Sequence, residues 1–308
     1  VPQVVLTLEA PAPRGPWTMR VTNEGDVPVS LVADARLLTL EVRERSAARP
    51  VRCELPADMR PASDSERALV VPPKRSYAET FEPRLYCFGA ASRALAQGAV
   101  VVAHLGWTGG RQGPPYAVSS VEGVEPQVEP LRELSSAPIA LPDEPTPTAA
   151  EVAPATTPRL LLQGAAAVDA PRPTDVTIPV TLRNASGHPV TLRFRPETLR
   201  FEVTGPTGKV DCPWPTLPTA PMRELFTTLP PGGSSSLDLV LASYCGNRTF
   251  DTPGLFLVSP RLDTRQASGE VIGIRSFDGV VFAQRPTVVR LRTGAAAPQP
   301  LRRPALAP

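Results

Sequence analysis

The sequence predicts an all-β protein built as two tandem β-sandwiches, and three observations carry that prediction. Forty of the 308 residues are proline. Proline has a fixed φ and no amide donor, so this density disfavours long helices and suits strand edges, turns and linkers. Apolar and polar residues alternate at period two, the pattern of half-buried strands. The chain also repeats itself: Val21–Val42 aligns without gaps on Leu182–Val203, with an offset of 161 at both ends. A chain of this length has room for two ordinary domains, each with its own core.

The elements follow in chain order. The first copy begins with Trp17, Met19 and Val21, answered in the second by Val176, Ile178, Val180 and Leu182. Side chains alternate across a strand, so each set faces one side of a sheet. These strands run into the loops "NEGD" and "NASGHP", which share an asparagine (Asn23, Asn184), a glycine and a following proline (Pro28, Pro189). In this register His188 falls opposite Val27 and Ser186 opposite Gly25. The loops share turn-forming residues but no nucleophile or base, so "NASGHP" is expected to be a turn.

Next come Leu192 and Phe194, then Leu199, Phe201 and Val203, the last three matched by Leu38, Leu40 and Val42. "VVPPKRSYAETFEPRLYCFG" then parallels "TLPPGGSSSLDLVLASYCGN", placing Pro72-Pro73 on Pro230-Pro231 and Tyr86-Cys87 on Tyr244-Cys245. "AVVVAHLGW" reads as an apolar strand in which His104 is expected at the strand end or in the core. "VSSVEGV" (Val118–Val124) parallels "IRSFDGV" (Ile274–Val280). Many short strands separated by Gly, Pro and Asn turns point to two immunoglobulin-like β-sandwiches made by internal duplication. The expected boundaries are a first sandwich over 1–139, a Pro/Thr/Ala-rich linker over 140–157, a second sandwich over 158–293 and a Pro/Ala-rich tail over 294–308.

Each copy carries two cysteines, Cys53 and Cys87, then Cys212 and Cys245. Four cysteines allow three pairings, and duplication favours one disulfide within each copy. Closing a loop of that size contributes roughly 3.8 kcal/mol in the chain-entropy account. The rival reading is metal ligation. It lacks any close C-x-x-C spacing, and only His104 and His188 are present to complete a site. Paired disulfides point to an oxidising compartment, periplasmic or extracellular. A chain that starts at Val1 fits a trimmed export signal or a fragment.

Charge narrows the function classes. The formal net charge is +2, too small for a nucleic-acid protein. No apolar run reaches the length of a membrane-spanning helix. Only Lys74 and Lys209 are lysines, and arginine dominates the cations, a composition that suggests a GC-rich bacterial genome.

The stretch from Leu182 onward, "LRNASGHPVTLRFRPETLRFEVTGPTGKV", resembles bacterial immunoglobulin-like domains of the intracellular-proteinase-inhibitor type. Those domains share an "N-x-S-x-x-P-V-x-L-x-F" run, a "G-K" turn and a later "L-x-P-G" turn. Asn184, Ser186, Pro189, Val190, Leu192, Phe194, Gly208, Lys209, Leu229, Pro231 and Gly232 fit that pattern. The resemblance implies a sandwich fold in the second copy and carries little about activity.

Candidate chemistry is sparse. No G-x-S-x-G motif is present, and neither histidine has a repeated acidic partner, so the sequence leads us to expect a protein that is not an enzyme. No cofactor or metal is expected. If Leu182, Leu192, Phe194, Leu199 and Phe201 point inward, then Arg183, Arg193, Arg195 and Arg200 point outward on neighbouring strands. They would form a basic face able to hold an acidic protein or a polysaccharide. Trp17, Trp107 and Trp214 are expected in cores or packed loops rather than in a sugar-stacking platform. The expected function is a secreted or periplasmic binding or structural protein that contacts another protein of the cell envelope or extracellular matrix. A proteinase inhibitor and a carbohydrate-binding or adhesive protein stand as alternatives.

Overall fold

A computed structural model describes residues 3–45, 47, 49–61, 69–106, 133–142, 159–213, 222–246, 248–265 and 267–293. The chain divides into two compact units, Val1–Thr148 and Ala149–Pro308. Regular structure among the described residues is β-strand, with short 3-10 turns between strands. The linker segment from residue 143 onward, the tail, and the Val118–Val124 repeat lie outside the described residues.

The first unit holds β1 (Val4–Glu9), β2 (Trp17–Asn23), β3 (Val29–Leu31), β4 (Leu38–Arg43), β5 (Val51–Glu54), β6 (Leu69–Val71), β7 (Ser76–Phe81), β8 (Val100–Gly106), β9 (Glu133–Ser135) and β10 (Ile139–Ala140). One sheet runs β1-β2-β7. A second runs β10-β8-β4-β5, with β9 also on β8, and β3 pairs with β6 as a separate ribbon. The period-two alternation explains which residues meet. Trp17, Met19 and Val21 of one sheet and Leu38, Leu40, Val42, Val101, Ala103 and Leu105 of the other are buried in a single core. Each buried Leu, Val or Met side chain stabilises the unit by about 1.5–3 kcal/mol through removal from water. The indole Nε1 of Trp17 donates to the Ala12 carbonyl at 2.7 Å, and its ring meets Phe81 edge-on. This unit continues past its expected end at 139. Leu141 is buried, its amide donates to Ala99 and its carbonyl accepts from Gly98, so the chain remains bound to the sheet there.

The second unit holds β11 (Leu160–Gly164), β12 (Ala167–Ala170), β13 (Thr177–Asn184), β14 (Val190–Leu192), β15 (Leu199–Gly205), β16 (Gly208–Cys212), β17 (Thr227–Leu229), β18 (Ser234–Val240), β19 (Gly254–Asp263), β20 (Val280–Phe282) and β21 (Thr287–Leu291). Its strand order repeats that of the first unit: β11-β13-β18 in one sheet, β21-β19-β15-β16 in the other, and a β14-β17 ribbon. β20 takes the place of β9. The addition is β12, which runs parallel to β21 at the outer edge. Val176, Ile178, Val180, Leu182, Leu199, Phe201 and Val203 are all buried in one core.

Two prolines inside strands sit where a neighbouring ladder has ended. Pro260 lies on β19 between the stretch paired to β21, which ends at Val258, and the stretch paired to β20, which begins at Arg261. Pro179 lies one residue beyond the last β13 position paired to β11, Val180. A residue without an N–H is tolerated at such gaps.

Candidate functional site

The "NASGHP" loop is a turn anchored from beneath. Asn184 ends β13 and is wholly buried. Its Nδ2 donates to the carbonyls of His188 (2.8 Å), Leu229 (3.0 Å) and Pro230 (3.2 Å), and its Oδ1 accepts from the Ser186 amide and hydroxyl. Asn23 does the same in the first unit, donating to Val27 and Val71 and accepting from Gly25. His188 contributes its carbonyl, and its side chain is on the exposed surface. A buried amide with every polar atom used is a device for fixing a loop, and it ties the β2–β3 and β13–β14 connections to the facing turns.

The cysteines pair within units, Cys53 with Cys87 and Cys212 with Cys245. Each bond ties an edge strand of the larger sheet, β5 or β16, to the turn after β7 or β18. The tyrosine beside each second cysteine is also a tether. Tyr86 Oη donates to the Ala35 carbonyl at 2.6 Å, and Tyr244 Oη to the Pro196 carbonyl at 3.1 Å. Burial, assisted by nearby carboxylates, pushes both phenols well above their ordinary ionisation range.

The four arginines do not form one face. Arg193 is 1% exposed, and its guanidinium donates to Glu197 at 2.7 Å inside the unit. It lies after β14, where the strand breaks into the Pro196–Thr198 turn, and the alternation that would have pointed it outward stops there. Arg195 is half-buried and donates to the Glu224 carbonyl. Arg183 projects from β13 and Arg200 from β15. These strands belong to different sheets whose inner faces share one core, so the two side chains point away from each other. Around Arg200 the outer face carries both signs: Glu202 with Lys209, Asp211 with Arg261, and Asp263 with Arg265. Hydrogen bonding from Arg265 holds the Asp263 carboxyl below its ordinary range.

One constellation lay outside the sequence reading. His104 is neither at the end of β8 nor in the core. It shares the outward parity of Val102, opposite Thr39 on β4 and Ser135 on β9. Its Nδ1 lies 2.9 Å from Ser135 Oγ and 2.9 Å from Glu133 Oε1, and its Nε2 lies 3.8 Å from Glu41 Oε2. Nδ1 thus shares a hydrogen bond with Ser135 Oγ and faces the Glu133 carboxylate. The arrangement sets the imidazole between two carboxylates and joins β4, β8 and β9. In the second unit the same lattice point is Arg261, opposite Phe282. The apolar run around His104 hides its outward parity in the sequence, and the arrival of Glu133 and Ser135 from β9 is set by the fold.

The sheet edges differ between units. On β7, Glu79 lies opposite buried Met19 and turns inward, where its Oε2 accepts from the Ala35 amide at 2.9 Å. On β18 the corresponding residue, opposite buried Val180, is Leu237. Among the described residues, no three His, Cys, Asp or Glu side chains gather as a metal-binding group. No helix there is long and apolar enough to cross a membrane. Trp17 is buried, and Trp107 and Trp214 lie outside the described residues.

No protein-family model matches the chain, and no curated protein matches it. Among solved structures it is similar to the crystal structure of red sea bream transglutaminase, with a TM-score of 0.22 and 12% sequence identity. The match covers 94% of this chain, which spans 31% of the length of the transglutaminase chain. A likeness at this level transfers neither a fold nor a chemistry. That structure is of an enzyme, so the expectation that this protein is not an enzyme is withdrawn, and the match itself says nothing about catalysis by this chain.

Proposed function

We propose that the chain is a pair of immunoglobulin-like sandwiches derived by duplication. It would serve as a secreted or periplasmic module that makes protein–protein contacts in a cell-envelope or extracellular assembly. The observation that carries this reading is the combination, in each unit, of a braced frame with an unpaired sheet edge. A disulfide and a buried asparagine lock the loops, while β7 and β18 each pair on one side only among the described residues. Rigid sandwiches bind through such edges and through the loops at their ends. The matching strand order of the two units and the run from Asn184 to Gly232 support the duplicated sandwich. The two disulfides support an oxidising compartment.

The test is retention. The full chain, immobilised with its disulfides intact, is incubated with envelope and secreted fractions of the source cell. A protein partner retained by the native chain, and released when the free edges carry charged substitutions, is the expected result. Retention of polysaccharide alone, or of nothing, would sink this reading.

A further inference from the structure

The edges left free among the described residues are not equivalent, and the difference singles out β18. An unpaired edge is a template for another strand, and proteins block it with charges on or inside the edge. β5 carries Arg52 and Glu54, and β16 turns Lys209 and Asp211 outward. On β12, Asp169 is clamped by Arg290, whose Nε donates to it at 3.1 Å. β7 carries the inward Glu79. β1 lies against β8 and β9 of its own unit, and the β11 edge is closed by Ala283, which bridges Leu162 and donates to the Pro260 carbonyl.

β18, "SSSLDLV", has no inward charge, no proline and no lysine. Its one charged residue, Asp238, is exposed on the outer face. The strand is also complementary to itself. An antiparallel pairing about a two-fold axis at Leu237 sets Leu237 opposite Leu237 of a second copy, Ser236 opposite Asp238, Ser235 opposite Leu239 and Ser234 opposite Val240. Each pair lies on one face of the joined sheet, because the side-chain period is two. No carboxylate faces a carboxylate, and each Asp238 meets a serine hydroxyl able to donate to it. The same operation on β7 centred at Glu79 would bring two inward carboxylates together.

We infer that β18 is a self-association edge: two copies of this chain join their three-stranded sheets of the second unit into one continuous six-stranded sheet through β18–β18 pairing. A closed two-fold contact of this kind satisfies both edges at once.

The test uses the full chain in sedimentation equilibrium over a range of concentrations. Ser236 is exposed, so two substitutions there probe the pairing without disturbing the core. Ser236→Asp sets a carboxylate opposite Asp238 at both ends of the contact and is expected to weaken dimerisation by about tenfold. Ser236→Lys sets an ammonium opposite Asp238 and is expected to leave it as tight or tighter. Circular dichroism of both variants should match the native chain. A native chain that stays monomeric overturns the inference, and so does a dimer that both substitutions weaken equally or leave unchanged. The inference fails separately from the reading above: a monomeric chain that still retains an envelope protein removes the self-pairing alone.

Discussion

Asn184 and His188 are joined by a hydrogen bond from the buried amide Nδ2 to the His188 carbonyl at 2.8 Å, and the imidazole plays no part in it. Asn23 makes the same bond to the carbonyl of Val27, a residue with no polar side chain. The loop therefore depends on the asparagine and on the backbone it gathers. Truncating Asn184 to alanine leaves the buried carbonyl of Leu229 and its neighbours without donors, at about 1–3 kcal/mol for each unsatisfied group. Asn184→Ala and Asn23→Ala should each lower the urea midpoint by the equivalent of about 3 kcal/mol with an unchanged slope. His188→Ala should stay within about 0.5 kcal/mol of the native chain. A large loss for His188→Ala would give the imidazole a role that this geometry lacks.

Lys74 and Gly232 occupy the same turn position in the two units, at φ of 60° and 75°. This left-handed conformation costs a side chain about 1–2 kcal/mol. A Cβ at Gly232 would meet nothing within 4 Å, so its effect comes from the backbone alone. Gly232→Ala should destabilise by about 1 kcal/mol. Lys74→Gly relieves the backbone but frees the unfolded chain and loses contacts from Nζ to Glu24 and Asp26, so it should change stability by less than about 0.5 kcal/mol. Chemical denaturation of the pair checks this asymmetry.

Tyr86 and Tyr244 have folded-state ionisation raised by burial. Their contribution to stability is complete below the ordinary tyrosine range near pH 10 and is lost as pH rises beyond it, because the unfolded chain releases those protons first. Alkaline titration followed by phenolate absorbance should therefore leave Tyr86 and Tyr244 silent until the fold is lost. Smooth ionisation of both before any change in circular dichroism would contradict the buried hydroxyl tethers.

Asp263 behaves in the opposite sense. Its carboxyl is held low by Arg265, so its contribution is present above the ordinary carboxylate range and is lost as pH falls through the depressed value. Asp263→Asn should lower the melting temperature at neutral pH, and the difference from the native chain should shrink on acidification. A difference that grows toward low pH would show that the pair with Arg265 is not its source.

The cysteines give a direct test. Protein purified from its source, unfolded without reductant and treated with an alkylating agent, should label at none of Cys53, Cys87, Cys212 or Cys245. After reduction all four should react, and the refolded, alkylated chain should have lost roughly 3.8 kcal/mol per unit in the loop-entropy account. Labelling of all four before reduction would remove the argument for an oxidising compartment.

The sequence by itself determined which side chains enter the cores, because strand periodicity is a local property. Trp17, Met19 and Val21, and Ile178, Val180 and Leu182, alternate with polar neighbours and are buried for that reason alone. The turn at Asn184 was equally legible, since the two copies share its asparagine and proline and nothing reactive. Parity tells a residue to face outward but not which sheet it faces outward from, and only the tertiary structure decided that Arg183 and Arg200 lie on opposite faces. Parity also lapses where a strand ends, which is why Arg193 is buried against Glu197. The meeting of His104 with Glu133 and Ser135, and the contrast between Glu79 and Leu237 at the two edges, arise from pairings between strands distant in the chain. Such contacts are set by which sheets close over which core, and that is a property of the assembled fold.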